Sequence, residues 1–180
     1  LGIANTHEEP LTNLLTHYVN SHRDFPLFVY QFQTKFRNEP RAKSGIMRGR
    51  EFVMKDLYSF CRTEEEHAVF YMRMKEAYTN VFNRSGIGKE TYFTYASGGS
   101  FSKASDEFQT VTDAGEDTIY VDPETRLSIN EEMMGDENVF EKFKTTKEKL
   151  VAKKSVEVGN IFPLGTRFSD ALGLKFKDEN

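Results

Sequence analysis

A chain of 180 residues, 38% hydrophobic and 29% charged, is long and apolar enough for one globular domain with a core, and its net charge of -4 excludes a protein held to nucleic acid by a broadly basic surface. No apolar run is long enough for a membrane-spanning helix, no charged-then-apolar leader opens the chain, and the single cysteine, Cys61, excludes an internal disulfide and any multi-cysteine zinc site. A soluble, cytoplasmic protein without membrane contact is the expectation.

Residues 6–22 predict the first helix. Leu11, Leu14, Leu15, Tyr18 and Val19 recur at helical spacing, Pro10 suits the first turn, and Asn5 or Thr6 can cap. The preceding Thr6-His7-Glu8-Glu9 reads locally as an ordinary acidic helix start.

Residues 27–56 predict a β-hairpin. From Leu27 to Glu39 the chain alternates strictly, with Phe28, Tyr30, Phe32, Thr34 and Phe36 on one side and Gln31, Gln33, Lys35, Arg37 and Glu39 on the other, the period of a half-buried strand. Pro40 to Gly45 supplies a turn, and residues 46–56 return with Arg48, Arg50, Phe52, Met54 and Asp56 on one face. Folding back brings Arg37, Glu39, Arg48 and Phe52 together. Forked guanidinium donors match phosphate oxygens, a carboxylate accepts from an exocyclic amine, and an aromatic ring stacks on a base, so the set suits a nucleoside triphosphate. The spacing alone fits a solvated basic hairpin equally well.

A second helix follows at 62–85, with Thr63 and Glu66 as a capping box, Phe70, Tyr71, Met74, Ala77, Tyr78, Val81 and Phe82 as the buried stripe, and Gly86 at its stop. His67 has no partners at ligand spacing and reads as structural or exposed. Residues 90–95 predict a strand, and the Gly98-Gly99 loop after it matches neither a Walker loop nor a dinucleotide fingerprint. Residues 118–121 read as a short strand, Asp122-Pro123 as a turn, and 138–154 as a charged helix with Val139, Phe143, Leu150 and Val151 as its sparse apolar side. A strand then carries Val156, Val158, Asn160 and Phe162 on one side, Gly165 and Ser169 lie in a turn, and residues 174–178 form a last strand. Helices mixed with an antiparallel hairpin make the fold class α+β.

Four separated segments carry a family resemblance. Phe36-Arg37-Asn38-Glu39, a short loop, Arg48-Gly49-Arg50-Glu51-Phe52 and Asp56 resemble motif 2 of the class II aminoacyl-tRNA synthetases, and the wording up to Phe60 resembles the prolyl-tRNA synthetase family. Thr6-His7-Glu8 resembles that family's Thr-x-Glu loop, although Asn5 stands where Pro is usual. Ser105-Asp106-Glu107-Phe108-Gln109 resembles its Ser-His-Glu-Phe-Gln segment with Asp106 in place of His. Residues 159–169 resemble its Gly-His-x-Phe-x-Leu-Gly-x-Tyr-Ser segment, with Asn160 and Phe168 in place of His and Tyr.

The resemblance implies a proline–tRNA ligase that uses ATP with Mg2+ to form prolyl-adenylate and transfers proline to tRNA(Pro). Its implied fold is the class II catalytic fold, an antiparallel sheet flanked by helices. It implies Arg37 as the catalytic group between α-phosphate and proline carboxylate, Arg48 on the γ-phosphate, Glu39 on the adenine amine and Phe52 stacked on the ring. Thr6, Glu8, Glu107, Asn160 and Phe162 would bind proline, Arg41 and Lys43 would contact the tRNA acceptor, and no protein cage for a metal is implied. Motif 1 and its homodimer interface, motif 3 and an anticodon-binding domain are not found in residues 1–180, and residues 113–155 read as a short bridge in place of an editing insertion. Another class II synthetase, such as the threonyl enzyme, and a synthetase-like binding paralogue without catalysis are the competing readings.

Overall fold

The alternation that begins at Leu27 produces β1 (Leu27–Phe36), which pairs antiparallel with β2 (Glu51–Phe60), Leu27 opposite Phe60 and Phe36 opposite Glu51. The computed structural model describes residues 5–42, 45, 48–98 and 104–179. They divide into a first unit, residues 1–70 with 166–180, and a second, residues 71–165.

In the first unit the buried half of the hairpin is the polar one. Tyr30 and Phe32 are 67% and 72% exposed, whereas Lys35, on the opposite face, has no exposed surface. On the aromatic side the Phe28 ring stacks on Phe70 with centroids 3.9 Å apart but stays 43% exposed.

The first helix is shorter than its periodicity predicts. It spans α1 (Glu8–Leu15), with His7 at the N-cap position instead of Asn5 or Thr6 and without a side-chain cap. Glu8, Thr12, Leu15 and Val19 are buried, while Leu14 and Tyr18 stay exposed. A buried carboxylate and hydroxyl take places that apolar periodicity assigns to leucine and tyrosine. The expected turn around Ser169 is a short helix, α4 (Arg167–Leu172), closed by Gly173 at φ 70°, a left-handed position that favours glycine. α4 packs against α1. In place of a strand at 174–178 there is a single parallel bridge between Lys177 and Ser21.

The second helix, α2 (Glu64–Arg84), starts as expected: the Glu66 amide donates to Thr63 Oγ1 at 3.2 Å, and the Glu66 carboxylate reaches back one residue further, to the Arg62 amide at 3.0 Å. Of its predicted stripe only Phe82 is fully buried, and Val81 is exposed.

The second unit is a closed five-stranded barrel in the order β3 (Thr91–Ala96), β4 (Ser105–Val111), β7 (Val151–Ile161), β5 (Asp117–Val121) and β6 (Ser128–Asn130). Every pairing is antiparallel except the closing one, where β6 runs parallel to β3 with Thr94 opposite Ser128. This differs from the expected antiparallel sheet flanked by helices. The physical reason lies in residues 113–155, which build β5, β6 and the start of β7. The expected helix at 138–154 is only α3 (Glu137–Phe143): Lys144 turns left-handed at φ 52°, and two β-branched threonines follow. Val139 and Leu150 nonetheless reach a core with Ile129, while Val151 is exposed.

On the outer side of the barrel, Phe108 lies among the rings of Tyr78, Phe82 and Phe93, with centroids 5.0–5.2 Å away. Gly159, opposite Phe108, permits this approach, because a Cβ there would meet Tyr78 and Phe82 at 3.2 and 3.3 Å. Between Phe108 and Gln109 the register shifts, so the ladder pairs Gly159 with Phe108 but Glu157 with Gln109. The bulge re-aims the strand and moves Glu157 to the side of Asn160, against the simple alternation expected from sequence.

Candidate functional site

In the first unit, Arg37 follows the last residue of β1 and extends the ladder by one bond, its amide donating to the Arg50 carbonyl at 2.9 Å. Its guanidinium lies 5.3 Å from the centroid of the Phe52 ring, and Nε donates to the Asn5 carbonyl at 3.2 Å. Arg37 is thereby tied both to the aromatic ring of β2 and to the loop before α1. At the turn end of the hairpin, Arg48 Nη1 lies 3.6 Å from Glu39 Oε2, and Arg50 Nε donates to the Glu39 carbonyl at 3.1 Å. The sequence pattern's four residues therefore meet as two pairs, Arg37 with Phe52 and Glu39 with Arg48.

Glu39 is held below the ordinary carboxyl range, chiefly by the Arg41 amide that donates to it at 2.7 Å, with the Arg48 and Arg41 charges assisting. Arg41 extends into solvent, its Nε 3.7 Å from Glu39. Lys43 lies outside the described residues.

The loop of Thr6 and Glu8 is packed against the polar face of the hairpin. Thr6 Oγ1 donates to Glu8 Oε2, and Glu8 is buried. Beside it runs a network that sequence reading did not assign to the site. Lys35 Nζ contacts His7 Nδ1, Gln33 Oε1 at 3.0 Å and Asp56 Oδ2 at 3.1 Å. Asp56 Oδ2 also accepts from Gln31 Nε2 at 3.1 Å and from the Tyr58 hydroxyl at 3.0 Å. Desolvation pushes the Asp56 carboxyl upward, but the hydrogen bonds from Gln31, Lys35 and Tyr58 and the Lys35 charge outweigh it and hold the group below its ordinary value. Tyr58 is driven well up by burial, with the Glu8 charge and the Asp56 contact adding to it and the His7 backbone hydrogen bond opposing it. The signal for this network was present: Lys35 lies on the same side of the alternation as Gln31, Gln33 and Arg37.

In the second unit, Glu107 and Asn160 face each other across β4 and β7. Glu107 accepts from Gln109 Nε2 at 2.9 Å and Asn130 Nδ2 at 3.1 Å. Burial is the largest influence on its carboxyl and pushes it upward, with Glu157 and Glu132 reinforcing the effect. Asn160 Nδ2 donates to Glu157 Oε1 at 3.1 Å, while its buried Oδ1 has no partner among the described residues. Phe162, half-buried, follows at the end of β7. Asp106 belongs to the opposite side of β4 from Glu107. It accepts from the Tyr71 hydroxyl at 2.8 Å in a cavity of about 150 Å³ also lined by Tyr95, Lys142 and Pro163, and burial pushes its carboxyl up.

Over residues 1–180 the chain matches the family described as tRNA synthetase class II core domain (G, H, P, S and T). It is 44% identical over 132 residues to a proline–tRNA ligase of Dehalococcoides mccartyi, covering 73% of this chain and 23% of that protein. To a proline–tRNA ligase of Sulfurimonas denitrificans it is 36% identical over 197 residues, covering 99% of this chain and 45% of the relative. The chain thus spans less than half the length of these two relatives. Among solved structures it resembles the prolyl-tRNA synthetase of Cryptosporidium parvum complexed with L-proline and AMP, with a TM-score of 0.66 and 17% identity over 98% of this chain and 29% of that one. It likewise resembles Giardia lamblia prolyl-tRNA synthetase in complex with prolyl-adenylate, with a TM-score of 0.67 and 15% identity over 97% and 28%. At these identities the likeness is one of fold.

Proposed function

Because this chain belongs to the tRNA synthetase class II core-domain family, we propose that it is the catalytic part of a proline–tRNA ligase, activating proline with ATP and transferring it to tRNA(Pro). The observation that carries the reading is the position of Arg37, whose guanidinium is shared between the Phe52 ring and the backbone of Asn5 beside the Thr6–His7–Glu8 loop. One cation thereby links an amino-acid loop to a nucleotide set.

In the first step a proline carboxylate oxygen forms a bond to the α-phosphorus of ATP and the bond to the pyrophosphate oxygen breaks. In the second, a terminal ribose hydroxyl of the tRNA attacks the prolyl carbonyl and AMP leaves. Arg37 neutralises charge between the α-phosphate and the carboxylate, and Arg48 takes the γ-phosphate. Glu39 accepts from the adenine amine, and Phe52 stacks on the base. Catalysis by positioning and preorganised charge suits phosphoryl transfer, where little covalent work is left to the protein. Thr6 and Glu8 take the prolinium nitrogen, Glu107, Asn160 and Phe162 are the further proline residues that the resemblance implies, and Arg41 and Lys43 serve the tRNA acceptor. Mg2+ would come with the triphosphate and would supply charge neutralisation there. Among the described residues no three His, Cys, Asp or Glu side chains converge to cage an ion. Homodimerisation of the full-length protein and a cytoplasmic location belong to the same reading.

A second reading, a synthetase-like module that binds without catalysis, is favoured by Asp106 and Asn160 at positions where the resemblance has histidine. Thermal unfolding with non-hydrolysable prolyl-, threonyl- and alanyl-adenylate analogues tests the primary reading. A ligand at one hundred times its Kd stabilises the native state by about 2.7 kcal/mol. A rise in melting temperature with the prolyl analogue alone is expected, and a rise with the threonyl analogue instead would overturn the proline assignment.

A further inference from the structure

We propose that Lys35 is a positioning residue for the amino-acid substrate, holding the Thr6–His7–Glu8 loop in its binding conformation through His7 without itself touching proline. This rests on the reading that Thr6 and Glu8 bind the prolinium nitrogen.

An ammonium has three N–H donors and no acceptor. Lys35 has no exposed surface, and its Nζ meets three acceptors, Asp56 Oδ2, Gln33 Oε1 and His7 Nδ1. Every donor is used, so the charge is fully satisfied without water. Two of the three acceptors come from the hairpin itself. The third comes from the loop, and it is the residue between Thr6 and Glu8. Because the ammonium can only donate, His7 Nδ1 is the acceptor in this contact.

Behind Lys35 the hairpin carries the network further. Tyr58 donates to Asp56 Oδ2 at 3.0 Å. The contacts run from the His7 ring to Lys35, Asp56 and Tyr58. Two residues along the same face of β1, Arg37 holds the Asn5 carbonyl. The loop is thus laid across the polar face of the hairpin between two cations. Arg37 serves the reacting groups directly, whereas Lys35 acts behind the loop. A buried ion pair is weak evidence for stability alone, and holding one arrangement of the chain around it is the role proposed for Lys35 with Asp56.

The test separates acceptor chemistry from bulk. Asparagine places its Oδ1 where imidazole carries Nδ1, and leucine fills similar space without an acceptor. The chain and its His7→Asn and His7→Leu variants are titrated calorimetrically with the non-hydrolysable prolyl-adenylate analogue and, separately, with ATP. His7→Leu is expected to lose about tenfold in affinity for the prolyl analogue, the size of one lost hydrogen bond to a charged group, with ATP affinity unchanged, and His7→Asn to recover most of it. The double variant Lys35→Met/Asp56→Asn, which removes both buried charges, should lose a similar factor for the prolyl analogue, and adding His7→Leu to it should cost little more. Equal binding of the prolyl analogue by His7→Leu and the unaltered chain would overturn the positioning role. Failure of the unaltered chain to bind that analogue would instead overturn the proline reading, and the role with it.

Discussion

Glu39 and Arg48 engage one another at the turn end of the hairpin, carboxylate oxygen to guanidinium nitrogen at 3.6 Å, although the proposed reaction assigns them to opposite ends of ATP. Bound nucleotide must therefore exchange this ion pair for an adenine amine on one side and a phosphate on the other. Arg48→Ala is expected to weaken ATP binding roughly tenfold, on the scale of a charge-assisted hydrogen bond, while affinity for proline stays unchanged. Calorimetric titration with each ligand checks this.

Arg37 is placed where charge develops during adenylate formation. Arg37→Ala should lower the rate of that step by roughly a hundredfold, about 3 kcal/mol, the usual cost of removing one preorganised donor. The comparison is made by proline-dependent exchange of pyrophosphate into ATP. A variant exchanging at the unaltered rate would contradict the motif 2 assignment.

Asp56 predicts the acid limb of the first unit's stability. Its folded-state carboxyl lies below the ordinary value, so its contribution is present above about pH 3.9 and is lost as the pH falls through the lower folded value. Asp56→Asn leaves Lys35 buried without its counter-ion and should cost about 3 kcal/mol at neutral pH. The variant's melting temperature should also fall less steeply than the parent's below about pH 4. Melting curves recorded in steps of pH decide it.

Glu107 works in the opposite sense. Burial raises its carboxyl, so its favourable contribution is complete below the unfolded value near pH 4.3 and is lost as the pH rises through the folded one. Glu107→Gln keeps an acceptor for Asn130 and removes the buried charge. It is expected to raise the melting temperature at pH 7 while weakening binding of the prolyl-adenylate analogue, a stability gained at the expense of the site. An unchanged melting temperature across pH 5 to 8 on substitution, read by circular dichroism, would contradict the first half of this expectation.

Gly159 has no room for a side chain. A Cβ would lie 3.2–3.3 Å from the rings of Tyr78 and Phe82, so Gly159→Val should overpack the outer face of β7 and cost about 1–3 kcal/mol, measurable by urea denaturation of the parent and variant chains.

The hairpin is legible in the sequence because its alternation is unbroken, and folding it back brings Arg37, Glu39, Arg48 and Phe52 together, whereas the register that sets Lys35 opposite Phe52 comes from strand pairing. The inward side of the hairpin is less accessible. Hydropathy cannot foresee an ammonium with no exposed surface, since its burial depends on acceptors gathered from the loop before α1 and from β2. The same cause shortens the apparent stripe of α1, where Glu8 and Thr12 are buried and Leu14 and Tyr18 are not. In β7 the alternation is visible but its phase is not, because the bulge opposite Phe108 and Gln109 is set by strand pairing and leaves no mark in composition. The resemblance supplied Glu107 and Asn160, and the structure sets them directly opposite each other.

The barrel's connectivity carries a consequence for the order in which it can form. β3 with β4 and β5 with β6 are hairpins that each segment can build from its own neighbourhood. β7, last in the chain, lies between β4 and β5 in the ring, pairing Asp106 with Ile161 on one side and Asp117 with Ser155 on the other. Closing the ring between β4 and β5 therefore requires residues 151–161, which come after both hairpins in the chain. Closure then comes as a single late event of long sequence separation, the slow kind of step in folding.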